Sequence, residues 1–82
     1  MITGIQIRAA RFALRLSAQG LAERAGVSLP TIQRFEQVDG VPPSRSSTLL
    51  DVQRALEAAG VEFIGTPEDG PGIRLRRAAP RE

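Results

Sequence analysis

Residues 21–36, LAERAGVSLPTIQRFE, decide how this chain reads. Leu21 and Ala22 fall on a helix, and alanine is small enough to let a second helix cross close to it. Gly26 follows four residues later, where the chain must turn sharply and a left-handed backbone costs glycine least. Ser28 is placed to cap the next helix, its hydroxyl accepting a first-turn N–H that has no partner within the helix. Ile32 then points back to the core. A helix, a tight turn and a second helix offered to solvent make a unit that fits the DNA major groove.

On Leu21, Ala22, Gly26, Val27, Ser28, Ile32 and Glu36, the segment resembles the phage-repressor and Cro-like helix-turn-helix family, often called XRE-like. The stretch RALEAAGVEF at 54–63 is similar to the end of such domains, so the resemblance covers residues 3–64. It implies a sequence-specific DNA-binding domain, and an ion pair in which Glu36 ties the recognition helix to Arg11 on the first helix. The sequence departs from the family at two positions. Ala18 stands where the family usually has a phosphate-touching glutamine, with Gln19 next to it, and Val38 stands where a glycine often follows the glutamate.

Composition narrows the alternatives. The 82 residues suffice for one small domain with a modest core, which oligomerisation would help to stabilise. With neither cysteine nor histidine, disulfides, thiolate metal sites and the commonest general base are excluded. No paired-carboxylate spacing stands in for them, so neither an enzyme nor a cofactor or metal site is expected. There is no apolar run of membrane-spanning length and no signal-peptide pattern, so a cytoplasmic protein is the expectation. Every basic residue is arginine, and the net charge is only +2. Whether arginines share a face therefore matters more than their number.

Working outward, Thr3 and Gln6 fit a capping box that opens a first helix, along which Ile5, Ala9, Phe12, Ala13 and Leu16 form an apolar stripe. Ser17 caps a second helix running to Ala25. A third runs from Leu29 to Gln37, with Pro30 tolerated in its first turn. Asp39 to Pro43 form a loop. A fourth helix begins at Ser46 or Ser47, buries Leu49, Leu50, Val52, Ala55, Leu56 and Ala59, and stops at Gly60. Residues 61–64 and 73–76 read as strands of a hairpin with a long loop over 65–72.

The expected fold is therefore mainly α: a compact four-helix, repressor-like helix-turn-helix domain with a short C-terminal β extension. Its divisions are 1–60 for DNA binding, 61–77 for the extension and 78–82 for a flexible tail. The candidate DNA-contacting residues are Ser28, Leu29, Pro30, Thr31, Gln33, Arg34, Gln19 and Arg45. Gln33 is suited to bidentate pairing with adenine, Arg34 to phosphate or guanine. Arg8 and Arg15 are further phosphate candidates. A two-fold pair would double the DNA contact, so a homodimer is expected, with Val61, Phe63, Ile73 and Leu75 as its contacts because a lone hairpin buries such residues poorly. Two other readings stay open. One is an antitoxin that represses its own operon and binds a toxin as a second protein partner. The other is a protein-interaction module without DNA binding.

Overall fold

The computed structural model describes residues 1–76. Four helices, α1 (Gly4–Ala13), α2 (Ala18–Ala25), α3 (Leu29–Glu36) and α4 (Ser46–Ala58), are followed by an antiparallel hairpin of β1 (Val61–Thr66) and β2 (Asp69–Leu75). Arg77 and the expected tail at 78–82 lie outside the described residues. One core, comprising Ile2, Ile7, Ala10, Leu21, Ala22, Ile32, Phe35, Leu49, Val52, Leu56 and Val61, draws on all four helices and β1.

Local chemistry sets the helix boundaries. The Thr3 hydroxyl accepts the Gln6 N–H, and the Gln6 side chain accepts the Thr3 N–H at 2.8 Å, a complete capping box. Ser17 Oγ accepts the Gly20 N–H at 2.9 Å and starts α2. α1 ends in a Schellman arrangement: Leu16 N–H donates to Arg11 O and Arg15 N–H to Phe12 O. The left-handed position there is filled by Arg15 (φ 59°), where glycine is the usual residue.

The rotation of α1 differs from expectation. Its buried residues are Gly4, Gln6, Ile7 and Ala10, with Leu14 packed against the core, while Ile5, Ala9, Phe12 and Ala13 are exposed and Leu16 is half-buried. The cause is Gly4. A Cβ at that position would sit 2.1 Å from both Phe35 O and Val38 O. Only the glycine edge of α1 can meet the end of α3, and that contact turns the apolar stripe outward. On α4, Leu49, Val52 and Leu56 are buried, Ala55 and Ala59 are half-buried, and Leu50 faces out.

The hairpin is longer than its composition suggests. β2 begins at Asp69, Thr66 pairs with Asp69, and only Pro67 and Glu68 form the turn. Ile64 pairs with Gly72, and between these pairs Gly65 (φ 76°) stands opposite two residues of β2, Gly70 (φ 65°) and Pro71, a bulge that absorbs the register shift. The glycines that read as a loop thus lie within the strands, and Gly72 is directly paired. Gln6 fastens this segment to α1, its Nε2 donating to Gly72 O at 2.8 Å and Ile64 O at 3.2 Å.

Candidate nucleic-acid interface

The turn between α2 and α3 is built from two residues with separate tasks. Gly26 closes α2 in the left-handed region (φ 72°), and its N–H returns to Ala22 O. Ser28 then caps α3, with Oγ 3.2 Å from the Thr31 N–H and 2.8 Å from the Thr31 hydroxyl. Pro30 occupies the first turn of α3, where a missing N–H leaves no intrahelical acceptor unpaired. Ile32 and Phe35 fix the rotation of α3 by entering the core.

That rotation decides which candidates can reach a ligand. Pro30, Gln33 and Arg34 are exposed, and Ser28 stands exposed at the cap. Leu29 and Thr31 are half-buried, and the Thr31 hydroxyl is already engaged with Ser28. The Arg34 guanidinium lies 5.6 Å from the centre of the Phe35 ring, a cation–π contact that holds the stem against the domain. Gln37 is not among the candidates that the sequence pattern offers. It is exposed at the end of α3, and helical spacing from Pro30 through Gln33 and Arg34 carries the outward row to it.

Gln19 lies on the exposed side of α2, where its amide donates to Glu23 Oε2 at 3.0 Å, one turn along. Arg45 is the exposed N-cap residue of α4 and makes no side-chain cap bond. Arg15 is exposed just past α1. Arg8 is turned inward instead: its guanidinium donates to the Glu36 carbonyl oxygen and so occupies an end-of-helix acceptor of α3.

Arg11 and Glu36 form a bidentate pair, with Nε to Oε2 at 2.7 Å and Nη2 to Oε1 at 2.9 Å. Arg11 also donates to Leu16 O at 3.1 Å. A glutamate in the last turn of a helix opposes the helix dipole, and the two arginines of α1 offset that. Hydrogen bonding to Glu36 raises the Arg11 pKa above its ordinary value; burial opposes the shift and the charge of Glu36 adds to it. The pair is mostly buried, at 14% and 10% side-chain exposure. It is therefore a brace between α1 and α3, and not a surface charge available to a ligand.

The residues expected to contact a second copy are largely used within the chain. Val61 belongs to the core, and Phe63 and Ile73 pack against it. Only Leu75, at 52% exposure, remains open. The hairpin does not stand alone: β1 rests on α4 and β2 on α1, so the helices bury Val61 and half-cover Phe63 and Ile73, contrary to the expectation that a lone hairpin leaves them uncovered. On the outer side, Glu62 holds Arg74 at 3.2 Å and Arg76 at 2.6 Å, so these arginines serve a charged strand surface.

The spacing of Gly26, Ser28 and the outward row of α3 agrees with the comparison by sequence, in which the helix-turn-helix domain family matches residues 3–63. The chain belongs to that family. Its members carry a DNA-binding domain, and the match is consistent with the repressor and Cro-like resemblance of residues 21–36. The matched region ends inside β1, so β2 lies beyond it. A comparison with curated proteins found no match. Among the described residues, no helix is long and apolar enough to cross a membrane.

Proposed function

We propose that the protein is a transcription regulator that binds specific double-stranded DNA by docking α3 in the major groove, two copies to a two-fold site. The observation that carries this reading is the row Pro30, Gln33, Arg34 and Gln37 on the solvent side of a helix capped by Ser28 and braced by Arg11–Glu36. Gln33 and Arg34 are the side chains in that row suited to read base edges, Gln33 at adenine and Arg34 at guanine. Pro30 and Leu29 offer apolar contact to a thymine methyl. Ser28 at the cap, Gln19 on α2 and Arg45 at the start of α4 are assigned to phosphate, where they fix register without reading sequence.

The test is a titration of genomic DNA fragments followed by the variants Gln33→Ala and Arg34→Ala on the selected fragment. Each substitution is expected to weaken binding by about 1–3 kcal/mol and to relax discrimination at one base position. Binding is also expected to fall steeply as salt rises, because arginines release counterions from phosphate. A protein that selects no fragment, or two variants that bind as tightly as the parent, overturns the reading and leaves the protein-interaction module in its place.

A further inference from the structure

The outward face of α1 carries Ile5, Ala9, Phe12 and Ala13, all exposed, with Ile5 at 41% and Phe12 at 64%. Scattered apolar surface residues are ordinary, but these four form one stripe along the whole helix, spaced as a helix spaces a buried side. No charged residue lies within the stripe; the Arg11 guanidinium stands over the Phe12 ring at its edge, 4.8 Å from the ring centre. The two arginines of α1, Arg8 and Arg11, are both turned to Glu36. The inward face of α1 is filled by Gln6, Ile7 and Ala10, so α1 is apolar on two sides and the domain covers one of them.

We propose that this face is where two copies of the chain meet, with their α1 helices antiparallel across a two-fold axis. The pattern is complementary to itself. Reversed against a second copy, Ile5 meets the partner's Phe12, Phe12 meets the partner's Ile5, and Ala9 meets its own counterpart near the axis, where a small residue lets the helices approach. The ends also match in charge. Gly4 N–H donates to Gly40 O at 2.8 Å, which sets the exposed Asp39 at the N-terminal end of α1, and the exposed Arg15 stands just past its C-terminal end. The antiparallel arrangement brings opposite charges and opposite helix dipoles together at both ends. The hairpin is a poorer surface for the same purpose, since Leu75 is its one open apolar side chain among Arg74, Arg76 and Glu62.

The contact is small. A ten-residue helix is about 15 Å long, and a pair of them covers less than the roughly 800 Å² per partner of a standard interface. The dimer is therefore weak on its own, and a two-fold DNA site adds to it by holding both copies. The inference rests on the DNA reading for its use, since it supplies the pairing that a two-fold site requires. It shares no residue with the outward row of α3.

Sedimentation of the full chain without DNA tests it. The parent is expected to pass from monomer to dimer with rising concentration. Ala9→Glu, which sets two carboxylates against each other at the axis, and Phe12→Ser are each expected to raise the dimer dissociation constant at least about tenfold with an unchanged helical circular dichroism spectrum. Leu75→Ser is expected to leave it unchanged. Because the chain has no cysteine, Ala9→Cys gives a single thiol, which should cross-link two copies on mild oxidation faster than a thiol introduced by Glu57→Cys on α4. A parent that stays monomeric, Ala9→Glu and Phe12→Ser variants that pair like the parent, loss of the dimer in Leu75→Ser, or equal cross-linking at positions 9 and 57 each overturns the proposal. None of these measurements involves DNA, so the DNA reading stands or falls separately on its own titration.

Discussion

The turn unit from Ser17 to Glu36 and the frame formed by α1 with the hairpin are held in opposite ways. In the turn unit the defining bonds are local: Ser17 to Gly20, Gly26 to Ala22, Ser28 to Thr31. In the frame they cross the chain: Gln6 to Ile64 and Gly72, Gly4 against Phe35 and Val38, Arg11 to Glu36. The candidate DNA-facing surface thus takes its shape from its own residues, and its orientation in the domain from a few distant contacts. The difference is open to experiment: substitutions in the frame should cost more stability than those in the turn unit, and should disturb the turn unit only where they touch the end of α3, at Phe35 and Glu36.

The largest effect is expected from Gly4→Ala. The added methyl meets two backbone carbonyls that cannot rotate away, so α1 must shift from α3, at a cost of about 3 kcal/mol read from denaturant unfolding. A Gly4→Ala variant as stable as the parent would break the argument for the rotation of α1. Next is the brace. Arg11→Ala strands Glu36 mostly buried, with an expected loss of about 2–3 kcal/mol, discounted from a fully buried pair. In a cycle with Glu36→Ala the two losses should not add, and additive losses would remove the coupling between α1 and α3 from the account.

Gln6→Ala sharpens the comparison from the hairpin side. It removes the cap of the Thr3 N–H together with both bonds to the hairpin carbonyls, for an expected loss of about 2 kcal/mol. Amide exchange should quicken across 61–75 while 18–36 stays protected. Equal quickening in both regions would show that the hairpin and the turn unit are not held separately. The smallest effect is expected from Ser28→Ala, about 1 kcal/mol for a lost helix cap. Thermal unfolding measures it.

The same division explains what the sequence disclosed. Thr3, Ser17, Gly26 and Ser28 act on residues within one turn, so their chemistry is visible in a short window, and the α3 row follows from it by helical spacing. The rotation of α1 was not visible. The stripe of Ile5, Ala9, Phe12 and Ala13 has helical spacing in either orientation, and what selects between them is the space left for Gly4 by a distant part of the chain. The length of the hairpin is not legible because glycine and proline over 65–72 suggest a loop, whereas Gly70 and Pro71 bulge against Gly65 and let pairing continue to Asp69. Gln37 is not legible as part of the row because it sits at the very end of its helix, where sequence patterns define boundaries least well.

The central claim is that DNA meets the outward row of α3. The most direct measurement is the change in backbone amide NMR shifts of the full chain on adding a duplex that it selects from genomic fragments. The largest changes are expected over 28–37, with smaller ones near Gln19 and Arg45 and little change over 61–75. Changes concentrated in the hairpin with α3 unmoved would contradict the claim.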